Sequence, residues 1–348
     1  MRLFGRKSES DAGPAEGIGE FWAWWTEARP ELDAMAAAGE TDRLAESIGP
    51  AVRAVHPSLV WEIAAGLNAV RALVVTAAGD PELRAVAHRW AAAAPAADAL
   101  WEFHPSRWAS PNATDLTLDV DGYELTLKEL TLGLRAPHGS LRVDVIAYHP
   151  SFTIMDDDTR TDAALLALDW ILGEDDVARW VGDISVSAFE PIDAVSAVHL
   201  PGVVADLASG YRDEQWALLE GETATGARLS ATARHPLRPV DYPLFDQHIT
   251  LTLPYTHRDA DGLPIGPSLE ALNDFEKRLA GQIGRLTGGA VLAAHMSAEG
   301  QRVFHVYADP ASDAAVPLKK LITSWKDGHP RVDVATDPGW IVISPFLS

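Results

Sequence analysis

From His248 to Ala335 the hydrophobic period alternates between two and about 3.6, and that alternation constrains the fold more than any other feature. "HITLTLPY" reads as a strand, and Ser268 to Arg285 as a helix capped by Ser268. "GAVLAAHM" and "QRVFHVYA" flank Ser297 to Gly300 as a hairpin, Val316 to Trp325 is helical, and Arg331 to Ala335 is a last strand. Strand, helix, strand, strand, helix, strand is the split βαβ order of a ferredoxin-like domain. The fold class expected is therefore α+β, with this βαββαβ domain following one or two α+β sandwich units.

The preceding residues divide by the same signals. Residues 1–18 are polar and glycine-rich and read as a flexible leader. An amino-terminal unit, 19–110, opens on a helix from Phe21 to Ala38, in which Phe21, Trp25, Ala28, Leu32 and Met35 fall on one face. Thr41 to Val55 is a second helix with Thr41 as cap and Gly49-Pro50 in its middle. Strands Leu59 to Ala64 and Arg71 to Ala77 follow, then a helix from Pro81 to Ala94 capped by Asp80, and a strand Leu100 to Phe103. A middle unit, 111–234, either separate from the first or continuous with it, begins with strands Asp115 to Val120 and Tyr123 to Leu130 around the turn Asp121-Gly122. Further on come strand Leu141 to His149, helices Thr161 to Leu172 and Glu174 to Val181, strand Ile184 to Ala188, and a hairpin of Trp216 to Glu222 with Ala227 to Ala233. The Pro-rich run 235–243 is expected to be a linker, and 244–348 the ferredoxin-like domain. "ALVVTAAGDPELRAVAHRW" and "RVFHVYADPASDAAVPLKKLITSW" share a strand, an Asp-Pro break and a helix running to tryptophan. Chance and internal duplication explain that equally well.

Composition excludes more than it identifies. A net charge of −22 opposes nucleic-acid backbones and anionic lipid, so neither is an expected partner. The absence of cysteine removes disulfides, thiolate metal sites and cysteine nucleophiles, and suits a cytoplasmic location. The opening residues carry no apolar run of signal-peptide length, and no stretch reaches the roughly 20 apolar residues of a membrane span.

Motifs for chemistry are few. There is no G-x-S-x-G elbow, no phosphate-binding loop and no H-E-x-x-H, and no catalytic residue or cofactor is assigned. Gly288-Gly289 precedes a strand, not a helix, and reads as a turn. "DVDG" and "DADG" lack the remaining ligands of a calcium loop and read as Asp-Gly turns. Two metal candidates stand beside these structural readings. The first joins Asp156 and Asp158 of one acidic run to Glu174 and Asp175 of the next, although acids before a helix also serve the helix dipole. The second is His295 with His305, one on each arm of the last hairpin, which share a sheet face in one register and lie on opposite faces after a one-residue slip.

"DGLPIGPSLEALNDFEKRL", "GQRVFHVYADP" and "DPGW" resemble the domain-of-unknown-function family 695, over about the last third of the chain. The family's Gly-Leu-Pro falls on Gly262-Leu263-Pro264 and its helix pattern on Leu269, Leu272 and Glu276. Its hairpin arm falls on Gly300 to Tyr307 and its Asp-Pro-x-Trp on Asp337-Pro338-Trp340. The tyrosine expected soon after that tryptophan is missing. The resemblance carries no activity, only a pointer to regulation through protein contact. The first two-thirds resembles a bacterial group with an amino-terminal Phe-Trp-x-Trp helix, carried here by "FWAWW", "VVTAAGD", "LWEF" and "LALDWILGEDDVARWVGDI".

Three functions follow from this reading: a non-enzymatic protein-binding or regulatory module, acting on a protein partner or on itself; a metal-dependent hydrolase using the acidic clusters or the His295/His305 hairpin; and a toxin-neutralising or stress-linked accessory protein. Whether a small-molecule ligand is bound is left open by the sequence. "EFWAWW" is expected to be a packing clamp, with Phe21 and Trp25 in the core and Trp24 the most exposed of its aromatics.

Overall fold

The computed structural model describes residues 14–137, 141–210 and 215–347. The chain divides into two compact units, Met1–Arg107 and Trp108–Ser348.

In the first unit, α1 (Pro14–Ala38) and α2 (Thr41–Val55) pack on a three-stranded sheet of β1 (Val60–Ala65), β2 (Arg71–Thr76) and β3 (Trp101–His104), with α3 (Arg84–Ala92) between β2 and β3. α1 starts at Pro14, so residues 14–18 are helical and not part of a leader; the rest of that expected leader lies outside the described residues. Proline in the first turn gives up only an N–H that would have no helical partner. Pro50 and Gly49 do not interrupt α2, because Leu44, Ile48, Val52 and Val55 recur at three- and four-residue spacing and are all buried. Thr41 is not the cap; Glu40 holds that place without a side-chain bond. Asp80 likewise sits before α3, whose cap is Leu83, and its carboxylate accepts the N–H of Glu82 in the preceding turn.

The aromatic run is core. Phe21 and Trp25 are buried, and Trp22 is also buried, its indole N–H donating to the carbonyl of Trp90 at 2.9 Å. Trp24 is partly exposed, as its position on the flank predicts. Phe21, Trp22, Trp25, Trp90, Trp101 and Phe103 meet mostly edge to face, the arrangement favoured by aromatic quadrupoles. A buried carboxylate closes the unit: Glu102 accepts the backbone N–H groups of Leu67, Asn68 and Ala69, which form the β1–β2 turn.

The second unit begins with the hairpin β4 (Thr117–Val120) and β5 (Tyr123–Thr126), turned by Asp121 and Gly122 at positive φ. Next come β6 (Thr131–Arg135), β7 (Val143–Tyr148), α4 (Asp157–Leu172), α5 (Glu174–Trp180), β8 (Val181–Val186), β9 (Val195–Ser196) and α6 (Leu200–Gly210). Strands β8-β7-β6-β9 form one sheet, and α4 fills its inner face through Ala163, Ala164, Ala167 and Leu168. β6 and α6 are elements the sequence reading did not separate from neighbouring loops.

The remainder is a six-stranded sheet with the order β10-β11-β13-β14-β12-β15. Its strands are β10 (Gln215–Glu222), β11 (Arg228–His235), β12 (Gln247–Pro254), β13 (Ala290–Ala298), β14 (Gln301–Ala308) and β15 (Arg331–Thr336), with helices α7 (Gly266–Gly284) and α8 (Ala315–Ile322). All five pairings are antiparallel. The βαββαβ order of elements is present, but the expected hairpin 216–233 extends this sheet rather than standing in a middle unit. One face packs Ile249, Leu251, Phe304 and Val306 on Leu272, Phe275 and Leu279 of α7 and Leu318 of α8.

The other face is covered by the Pro-rich run and the carboxy-terminal tail, through Leu237, Val291, Ala293, Tyr307, Trp340 and Ile343. Residues 235–243 are therefore a packed strap and not a free linker. Leu237 and Val240 are buried, Arg179 pairs with Asp241 at 2.8 Å, and the Arg238 guanidinium lies 4.5 Å from the Trp180 ring centre. The repeated strand–Asp-Pro–helix segments share a local device, in which Asp80 and Asp309 each accept the N–H two residues on. Their sheets differ: β3 pairs directly with β2, whereas β12 separates β14 from β15. Among the described residues no helix is long and apolar enough to cross a membrane.

Candidate functional site

Three segments distant in sequence meet at the amino end of α7. β12 ends at Pro254 and delivers Thr256 and His257; the first turn of α7 delivers Ser268; the segment after α8 delivers Trp325, Lys326 and Asp327. The Trp325 indole N–H fixes the join, shared between the carbonyls of Pro254 and Asp327 at 2.9 Å each. Gly328 follows at φ +103°, with its Cα hydrogen facing the Pro254 ring; a Cβ there would come within 2.7 Å of that ring.

Asp327 gathers the network. Its carboxylate accepts from the Ser268 hydroxyl at 2.6 Å, the Thr256 hydroxyl at 2.8 Å and the Thr256 N–H at 3.1 Å. Partial burial works to raise its pKa, but the Ser268 and Thr256 donors outweigh that and hold it below the ordinary carboxylate value. Ser268 accepts the backbone N–H of His257 at 3.0 Å. Ser268 was expected to cap α7, but the cap position is Ile265 and Ser268 lies inside the first turn, where it ties helix to strand. Ser, His and Asp are thus adjacent, yet wired differently from a nucleophilic triad. There the hydroxyl gives its proton to imidazole and the imidazole to carboxylate. Here the hydroxyl donates straight to Asp327, and His257 Nδ1 stands 3.4 Å from Ser268 Oγ. The arrangement holds a surface in shape.

That surface is an open cleft of about 730 Å³. Pro267, Ala271 and Trp325 line it, with Asp274, Lys277, Arg278 and Lys326 at its rim. Arg278 reaches across to donate to Ser324 at 2.9 Å, and Lys277 lies 3.6 Å from Asp274. The chain has six lysines, and four of them (Lys277, Lys319, Lys320 and Lys326) fall between residues 277 and 326. Of these, Lys277 and Lys326 line the cleft with Arg278, against Asp274 and Asp327, so the lining leans positive on a chain of net charge −22. A smaller depression of about 330 Å³ lies between α1 and α2 of the first unit, beside Phe21, Trp24 and Pro50.

The sequence-derived metal candidates are not assembled. Asp156 caps α4, accepting the Thr159 N–H at 2.9 Å, while Glu174 and Asp175 begin α5 beyond the other end. The 16 residues of α4 put about 24 Å between the two acidic runs, far beyond the span of one ion. Asp158 lies in the first turn of α4, on the Asp156 side. In the hairpin, His295 pairs with Phe304 and His305 with Ala294, so the one-residue offset sends the imidazoles to opposite faces. Among the described residues no group of three or more His, Asp or Glu is placed to hold a metal.

Each histidine has a different partner. On the helix face, His295 Nε2 lies 3.4 Å from Glu276 of α7, and that hydrogen-bonding contact draws the Glu276 pKa down. On the strap face, His305 Nδ1 is 3.0 Å from His248 Nε2, and His248 stacks on Tyr307. The Tyr307 hydroxyl donates to Asp337, whose carboxylate also accepts the N–H groups of Ile341 and Val342. Sequence reasoning missed His248 because it is 57 residues from His305 and becomes a neighbour only when β12 inserts beside β14. It missed the cleft because His257, Ser268 and Asp327 carry no fixed spacing.

Residues 234–348 match the model of the family of unknown function DUF695. The match covers the strap, the four-strand core, both helices and the tail, and the motif resemblances at the cleft and at Asp337 fall inside it. Nothing in the comparisons supports the resemblance drawn for the first two-thirds. No curated protein and no solved structure matches the chain.

Proposed function

We propose that this chain is a binding module whose α7/α8 cleft receives an acidic segment of a protein partner. The observation that carries this is a cleft lining of three cations, Lys277, Arg278 and Lys326, against two carboxylates, Asp274 and Asp327, around a mostly apolar floor that includes Trp325, on a chain otherwise strongly acidic. Such a site favours a carboxylate beside an apolar side chain: the charge steers the approach and the apolar contact holds the complex. The Ser268–Asp327 bond supports binding over nucleophilic chemistry, since the hydroxyl is committed to a carboxylate and not to a base.

The test is a fluorescence-anisotropy titration with labelled peptides of acidic, neutral and basic composition, each containing one aromatic residue. Acidic peptides bind, with affinity falling as salt is raised, and Lys277→Glu combined with Lys326→Glu weakens them at least tenfold. Preferential binding of basic peptides would place recognition on the acidic surface instead and overturn the assignment, as would equal binding by the charge-reversed variant.

A further inference from the structure

The two edges of the six-stranded sheet are built differently. β15 carries Arg331 and Asp333 and is bounded by Pro330 and Pro338, which are devices that discourage strand addition. β10, at the other edge, has no proline and no basic residue, and its two charges, Glu220 and Glu222, both lie at its carboxy-terminal end. Its sequence is Gln-Trp-Ala-Leu-Leu-Glu-Gly-Glu, without Lys or Pro, and its eight-residue register with β11 runs without a bulge. Trp216, Leu218 and Leu219 are exposed, at 46%, 70% and 38%. Among the described residues β10 is hydrogen-bonded on one side only, so every second residue directs an N–H and a C=O outward. A long, regular, apolar edge of this kind is a template for another strand.

We infer that the strand it takes is β10 of a second copy, paired antiparallel about a two-fold axis normal to the sheet. Under that axis residues facing each other must share a sheet face, which limits the ladder to a few registers. Centred on Glu220, the ladder would set two carboxylates against each other. Centred on Leu218, it would drop Glu222 from the ladder, as the Leu219 register drops Gln215, and would set Trp216 against Glu220 instead of Glu222. Centred on Leu219, it pairs all of the strand but Gln215, keeping the charged end inside the ladder: Leu219 meets Leu219, Ala217 meets Gly221, Leu218 meets Glu220 and Trp216 meets Glu222. No like charges stand opposite, and Trp216 covers the stem of a glutamate. Glu220 is in addition already paired with Arg228 of β11 at 3.2 Å. The product is a continuous twelve-stranded sheet with both β15 strands at its ends.

The chain contains no cysteine, so single cysteines report the register directly. In this ladder the Leu219 Cα atoms lie about 5 Å apart, inside disulfide range, whereas the Ala217 pair does not. The full chain is expected to sediment as a dimer. Leu219→Cys links covalently to itself under mild oxidation, while Ala217→Cys and Val334→Cys on β15 do not. Leu219→Lys sediments as a monomer with an unchanged circular dichroism spectrum. A monomeric parent chain overturns the inference, and so does a dimer in which Leu219→Cys fails to link or Leu219→Lys leaves the mass unchanged.

Discussion

Removing the hydroxyl of Tyr307 isolates the bond on which the carboxy-terminal tail depends. Tyr307 is fully buried, its ring lies 3.9 Å from that of Trp340, and its hydroxyl donates to Asp337. Asp337 in turn holds the N–H groups of Ile341 and Val342, and the Trp340 indole donates to the Phe245 carbonyl at 2.8 Å. Tyr307→Phe keeps the ring, the stacking and the volume. It deletes one hydrogen bond to a carboxylate that retains two backbone donors, a loss of about 1.5–3 kcal/mol. With a urea dependence of about 3 kcal/mol per molar, the unfolding midpoint falls by about 0.5–1 M. Hydrogen exchange at Ile341 and Val342 accelerates in step, because the acceptor of their N–H groups is less firmly placed. Asp337→Ala costs more, about 3 kcal/mol or above, since three donors lose one acceptor together. The double variant then shows a coupling energy of about 1–2 kcal/mol between the two positions. An unchanged midpoint in Tyr307→Phe, or strict additivity with Asp337→Ala, would refute the view that this bond anchors the tail.

Three further outcomes follow from other contacts. His305 is buried, and that burial, with His248 and His295 nearby, pushes its pKa down to about 4; His248 is lowered in the same direction, chiefly by burial. The unfolded chain therefore binds more protons between roughly pH 6.5 and 4, and stability is full above that window and declines through it, by roughly 3 kcal/mol for His305. Thermal melts across the window should show the decline, and His305→Gln should flatten it. In α1, Gly17→Ala and Gly19→Ala should have opposite signs. A Cβ at Gly17 meets the Ala54 carbonyl at 2.9 Å and destabilises by about 1–2 kcal/mol, whereas the space at Gly19 is open and alanine stabilises by roughly 0.5–1 kcal/mol, both read from denaturant midpoints. Glu102→Ala strips the acceptor from three N–H groups, so it should lower stability by about 3 kcal/mol and raise exchange at Leu67, Asn68 and Ala69 ahead of the rest of the unit.

Local pattern was enough to place most helices and strands, because a period of 3.6 or two reports which side chains must leave water. The clearest cases are the aromatic face of α1 and the two hairpin turns, where Asp121-Gly122 and Glu299-Gly300 take the positive φ values a two-residue turn requires. Pattern failed where tertiary packing overrode a local signal. Pro50 looks like a break but falls within a helix held by four buried apolar residues, and the prolines of 235–243 look like a linker but form a strap over a sheet face. Site residues were legible only when they were neighbours in sequence. Asp156 to Asp158 and Glu174 to Asp176 are conspicuous as runs, yet the length of α4 keeps them apart.

The amino-acid sequence determined the α+β class, the βαββαβ order near the carboxy terminus, the acidic character of the chain and the packing role of "FWAWW", since each depends on residue type and short-range periodicity. Only the tertiary structure decided which polar groups meet. A one-residue strand offset parted His295 from His305, the insertion of β12 beside β14 gave His305 its partner His248, and the closure of three segments joined Ser268 to Asp327. Strand register and loop closure are set by the packing of whole faces, and no short stretch of sequence carries that information.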